Sequence, residues 1–225
     1  TGKRFSLISS GELMRGQVAA MDEGEVEEYH RTFEEFKAQN YLRGRCISRD
    51  VMEIYNLGFD PADEVVLFPV YSRKGDVLFY KSRSLVGKHF FNAKDIDKTA
   101  AVYGLYQTLE AKIPDSTEIW LVESEIDALS LVSKGILAWA FMGSDISEKQ
   151  IKEMCQSPYR RFVIATDNDE AGRKAARRIK DKLIPLGFRF FNLKWLTDLK
   201  DVNELIQNYG MILRIISTGI KQEEN

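Results

Sequence analysis

The sequence predicts an α/β protein: a parallel sheet flanked by helices, preceded by a smaller mixed α+β subdomain rich in cations. Three observations predict it. Beyond Pro114-Asp115, short apolar strand-type runs alternate with helical patterns over short connections, as in a doubly wound sheet. Before that point, helical periodicity gives way to a hairpin signal. Finally, the apolar run Phe162-Val163-Ile164-Ala165-Thr166 delivers two aspartates, Asp167 and Asp169, straight into a basic helix.

Taken in order, residues 1–24 are mixed and aperiodic, as in a leader or linker, and residues 25–114 form the basic subdomain. Glu25 to Asn40 carries Val26, Tyr29, Phe33 and Phe36 at helical spacing. Ser48 can cap a second helix running to Asn56, with Val51, Ile54 and Tyr55 facing inward and Gly58 ending it. Val65 to Tyr71 and Val77 to Tyr80 flank Lys74-Gly75-Asp76, which predicts a β-hairpin. Arg73, Lys74, Lys81, Arg83, Lys88, Lys94 and Lys98 gather on and after it, interleaved with His89, Phe90 and Phe91. Cations mixed with aromatics can hold a single strand by phosphate contact and base stacking; a solvated hairpin with its aromatics in the core explains them as well.

Residues 115–210 supply the parallel sheet. The expected pairs are strand Ile119–Glu123 with helix Asp127–Lys134, and strand Ile136–Met142 with helix Ile146–Met154. Strand Phe162–Thr166 precedes helix Ala171–Leu183, and strand Phe188–Leu193 precedes helix Val202–Gln207. Residues 211–225 read as a C-terminal amphipathic helix and a frayed tail.

Bulk properties narrow the function. A chain of 225 residues can bury a sizeable core. Its formal net charge of −2 gives no global pull towards nucleic acid, so any such affinity is local. Cys46 and Cys155 stand far apart, which excludes a zinc ribbon, a redox pair and a disulfide framework and fits a reducing cytoplasm. No apolar run is long enough to span a membrane, and no signal-peptide pattern opens the chain. It begins on Thr rather than Met, as a fragment or processed chain would.

Ligands of open α/β sheets bind outside the carboxyl ends of strands. Two carboxylates there are hard oxygen ligands suited to Mg²⁺ or Mn²⁺. Helix capping would account for Asp169 and Glu170 without a metal, leaving Asp167 unexplained. An EF-hand would need a ligand at Ala171 and a glutamate at Arg178, so calcium is rejected. More acids fall at the same edge. Glu123 closes the first strand, Asp127 lies one turn into the next helix, and Asp201 opens the last helix, where it could be a cap, with Asp198 competing. Crowded carboxylates repel one another unless cations neutralise them. His30 reads as structural, His89 as a groove or core residue rather than a metal ligand, and the helical cations Arg173, Arg177 and Lys180 as a solvated face.

This constellation resembles the Toprim domain of primases, topoisomerases and some nucleases. Glu123 matches its first glutamate, Asp167 and Asp169 its paired aspartates, and Gly143 the glycine after its second strand. Tyr41 to Ser48, Phe68-Pro69-Val70, Gly87 to Asn92 and Val102 to Tyr106 are similar to the basic subdomain of bacterial DnaG-type primases. Val122 to Asp127, Asp169 to Lys174 and Lys200 to Glu204 are similar to the primase half of phage primase-helicases. The likeness covers about Gln39 to Gln207.

The resemblance implies a Toprim-type fold and a nucleotidyltransferase that makes short RNA primers on single-stranded DNA during replication. It implies Glu123, Asp167 and Asp169 as catalytic, with Asp201 joining them around two or more Mg²⁺ or Mn²⁺ ions and Asp127 in support. It implies Arg83, Lys88 and Lys98 as contacts to template, nucleotide or primer phosphates. The expected partners are the DNA template, ribonucleoside triphosphates, a replicative helicase and a zinc-ribbon module outside this chain. The expected setting is cytoplasmic, the host's if the chain is phage-encoded. Ser124 departs from the family's usual glycine, and neither a zinc ribbon nor a Walker A loop is present. A Toprim nuclease or a non-catalytic single-strand-binding module are the alternatives.

Overall fold

A computed structural model of the chain describes residues 36–85, 97, 99–193, 195 and 198–210. Helix α1 (Phe36–Gly44) runs past its expected end at Asn40, because Leu42 continues the buried stripe begun by Ala38. The rest of the expected Glu25–Asn40 helix, His30 and the helix expected after residue 210 lie outside the described residues. In α2 (Arg49–Ile54), Ser48 caps as expected, its Oγ accepting from the Val51 amide at 3.4 Å. Two details differ. Ile54 is 61% exposed, and Val51, Met52 and Tyr55 form the buried face instead. Asn56, with φ +48°, turns the chain after the helix, while Gly58 opens strand β1 (Gly58–Asp60). Three residues are too short for any periodicity to announce that strand.

The expected hairpin is present as β2 (Val65–Tyr71) and β3 (Val77–Ser84), and β1 adds antiparallel to β2. An unforeseen helix, α3 (Leu105–Glu110), follows Tyr103, which bridges to Ala140. The Thr108 hydroxyl accepts from Trp139 Nε1 at 3.0 Å and anchors that helix.

The strand-helix alternation then follows as expected: β4 (Glu118–Val122), α4 (Glu125–Val132), β5 (Ala138–Ala140), α5 (Glu148–Gln156), β6 (Arg161–Ile164), α6 (Glu170–Leu183), β7 (Arg189–Asn192) and α7 (Val202–Tyr209). Strand β5 is shorter than the expected Ile136–Met142; Met142 leaves the extended region at φ +60°. All four strands are parallel, in the order β5-β4-β6-β7. The chain steps from β4 outward to β5 and returns on the other side as β6. The order therefore reverses between β4 and β6, where ligand crevices form in such sheets.

Alternation along the strands feeds two cores. Ile119, Leu121, Phe162 and Ile164 pack with α5 and α6. Trp120, Val122, Val163 and Ala165 pack with α4 and α7, in a cluster that also holds Leu42, Met52, Phe59, Val66 and Phe68 from the first subdomain. Burying each such side chain contributes roughly 1.5–3 kcal/mol. Shared burial holds the antiparallel sheet against the parallel one.

Candidate active site

Strands β4 and β6 are neighbours with Leu121 opposite Ile164, so the residues just past each strand meet at one rim. Glu123 and Asp167 are those residues. The Asp167 amide donates to Glu123 Oε1 at 3.1 Å, and both side chains are half-buried.

The turn after β6 is tightly determined. Asp169 caps α6, its Oδ1 accepting from the Gly172 amide at 2.7 Å. A Cβ on Gly172 would stand 2.0 Å from the Asp167 carbonyl oxygen, so only glycine lets the helix start close under the turn. Asn168 ties the turn to the far segment, its amide donating to the Lys200 carbonyl at 2.6 Å and its Nδ2 to the Leu199 carbonyl at 3.1 Å. Lys200 Nζ then lies 3.2 Å from Asp167 Oδ2. Next along, Asp201 caps α7, its Oδ1 accepting from the Glu204 amide at 2.7 Å. Capping thus engages one oxygen of Asp169 and of Asp201, and Asp198 is exposed without that role.

Asp127 is turned inward. Its Oδ1 accepts from the Asn203 amide at 2.9 Å and its Oδ2 from the Ser124 hydroxyl at 2.5 Å. Burial, then the charge of Asp201, pushes its pKa up to about 7. Asn203 carries the link onward, its Nδ2 donating to the Arg45 carbonyl at 2.7 Å while its Oδ1 accepts from Arg45 Nη1 at 3.2 Å. The first subdomain is thereby bonded to the N-terminus of α7, beside Asp201. Lys81 of β3 adds a second tie through its ion pair with buried Glu125 at the start of α4.

Burial and the neighbouring Asp167 raise the Glu123 pKa; burial raises that of Asp167 against the opposing pull of Lys200. Lys200 is raised in turn by its bond to Asp167. Among the described residues, no three His, Cys, Asp or Glu side chains stand close enough together to hold one ion. The donor chemistry nevertheless fits Mg²⁺ or Mn²⁺. Hard oxygens meet at one rim, with two carboxylates whose ionised forms a cation would favour.

The cationic residues divide. The Arg83 guanidinium lies 5.9 Å from the centre of the Tyr41 ring, and Arg45 lies 5.6 Å from the same ring. Lys88 and Lys98 lie outside the described residues, as do His89, Phe90 and Phe91. Arg173, Arg177 and Lys180, expected as a solvated face, line a cleft of about 290 Å³ together with Thr166, Asp167 and Trp195. Lys200, Asn168, Gly172 and Asn203 were not foreseen as site residues. The similarity of Asp169 to Lys174 and of Lys200 to Glu204 to the phage primases covered three of them, Gly172, Lys200 and Asn203, without giving them a role.

Residues 120–206 match the family described as Toprim-like. This stretch is similar to Toprim-like domains. Around it, the chain shares its fold with the DnaG primase catalytic domain solved bound to single-stranded DNA, at TM-score 0.72 and 20% identity over 88% of this chain and 79% of that one. The DNA primase of Pseudomonas aeruginosa is 26% identical over 192 residues, 66% of this chain and 29% of its own length. The uncharacterized protein MG010 of Mycoplasma genitalium is 27% identical over 172 residues, 75% of this chain and 79% of its own. The chain spans less than half the length of the curated DNA primases it matches, 29% and 40% in two cases. Among the described residues, no helix is long and apolar enough to cross a membrane.

Proposed function

We propose that this chain is the RNA-polymerase module of a DNA primase, joining ribonucleotides on a single-stranded DNA template during replication. The observation that carries the proposal is the contact between the Asp167 amide and Glu123 at the reversal point of a Toprim-like sheet, within a primase-type fold. Glu123, Asp167, Asp169 and Asp201 would hold two or more Mg²⁺ or Mn²⁺ ions. When bound, such ions make a 3′-hydroxyl more acidic and offset charge on departing pyrophosphate. Glu123, half-buried with a raised pKa, takes the hydroxyl proton as the oxygen bonds to the α-phosphorus and the bond to pyrophosphate breaks. Asp127 supports the site by gripping the start of α7 and so setting Asp201. Arg83, Lys88 and Lys98 contact phosphates of template, nucleotide or primer. The chain works in the cytoplasm, the host's if it is phage-encoded, with a replicative helicase and a zinc-ribbon module supplied from outside it.

The test is to incubate the protein with ribonucleotides, divalent metal and single-stranded DNA of varied sequence and to size any RNA made. Asp167→Ala and Asp169→Ala should each abolish synthesis while leaving DNA binding largely intact. Undiminished synthesis by either variant overturns the assignment. DNA cleavage without nucleotides would point to a nuclease instead.

A further inference from the structure

Helix α6 carries cations on two sides, and the sides differ. Lys174 pairs with Glu170 at 2.6 Å, and Arg178 and Lys182 pair with Asp145 at 3.1 and 3.3 Å. Arg173, Arg177 and Lys180 have no ion-pair partner among the described residues, yet they face a defined cleft. Their spacing of four and three residues puts them in one stripe. Leu193 and Trp195, just past β7, line the same cleft. Cations and an aromatic ring lining one cleft suit a nucleotide: guanidinium groups match phosphate oxygens and indole stacks on a base. A volume of about 290 Å³ suits a mononucleotide and not a duplex. Asp167 lines the same cleft, but one carboxylate against three cations leaves the wall positive, and Lys200 already engages it.

We infer that this cleft binds a nucleoside 5′-triphosphate group, with phosphates on Arg173, Arg177 and Lys180 and the base against Trp195. The choice of nucleotide rests on the polymerase reading, which the inference extends with a binding station that needs no metal. The triphosphate could belong to a free nucleotide or to the 5′ end of a nascent primer.

The test is titration with ATP in the presence of a chelator, followed by calorimetry and tryptophan fluorescence. Trp120 and Trp139 are 6% and 0% exposed, so Trp195 should carry the response and Trp195→Phe should remove it. Arg173→Ala/Arg177→Ala, confirmed folded by its melting curve, should weaken ATP by about tenfold or more. Adenosine should not bind. A short RNA bearing a 5′-triphosphate that binds more tightly than ATP would name the primer end as the source; equal or weaker binding would name the free nucleotide. No ATP binding, equal binding by the double variant, or equal binding of an RNA with a 5′-hydroxyl would overturn the inference. Asp167→Asn should still bind ATP under chelation while making no primers. A parent chain that binds ATP here but makes no RNA sinks the polymerase reading and leaves the cleft standing. Primer synthesis beside an unaffected double variant does the reverse.

Discussion

The Asp167 amide donates to Glu123 Oε1 at 3.1 Å, bonding the ends of β4 and β6 across 44 residues of sequence. The bond needs only an acceptor oxygen at position 123, whereas metal holding and proton transfer need a carboxylate. Glu123→Gln should therefore keep the fold and melt near the parent, yet lose roughly 10²–10⁴-fold in primer synthesis. Mg²⁺ should raise the melting temperature of the parent more than that of the variant. Parent-level synthesis by Glu123→Gln would remove the carboxylate from the chemistry.

Asp127 makes stability depend on pH. Its folded pKa of about 7 lies above the ordinary 3.8, so the folded state keeps a proton that the unfolded chain releases. The stabilisation is complete below the ordinary value and is lost as pH rises towards 7. Asp127→Asn retains an acceptor for the Asn203 amide and gains a donor to Ser124. Relative to the parent, it should be more stable at about pH 8 by roughly 2–4 kcal/mol and nearly level at about pH 4. Urea denaturation with chelator present measures the difference. A pH-independent gap would contradict it.

Gly172 is required by space. A Cβ 2.0 Å from the Asp167 carbonyl oxygen meets backbone that cannot swing aside, so Gly172→Ala must displace the turn bearing Asp167 and Asp169. The expected cost is about 1–3 kcal/mol, with primer synthesis falling further than the stability loss explains. Melting curves and a synthesis assay on the same preparation separate the two effects. Full activity with an unchanged melt would show that the turn is looser than its contacts imply.

Asn203 is 1% exposed, and its side chain bonds Arg45 twice. Asn203→Ala would leave the Arg45 carbonyl without this partner and should cost roughly 1–3 kcal/mol. Asn203→Asp would keep the bond from Arg45 Nη1 but place a new negative charge beside Asp127 and Asp201. That variant should lose more at about pH 8 than at about pH 5. Urea midpoints at the two pH values test the order; a reversed order would refute the linkage.

The parallel sheet was legible because continuous apolar runs and capped helices are local signals. Ser48, Asp169 and Asp201 act as the caps that their positions suggest. Strand β1 and helix α3 were not legible. The first has three residues, and the second is held by Trp139, 31 positions from Thr108. Ile54 matched the helical stripe yet faces solvent, because Met52 supplies the second buried anchor of that short helix. The basic stripe of α6 looked solvated because spacing tells which cations share a face, without revealing which distant residues share the cleft they line.

By itself the sequence determined which acids follow which strands, because strand ends and helix starts are written in neighbouring residues. Only the tertiary structure decided which oxygens are already engaged: Asp127 buried against Asn203, Asp167 beside Lys200, Glu123 receiving an amide from the next strand. The physical reason is that charge and hydrogen-bond partners act through space over a few ångströms, and here they come from segments tens of residues apart.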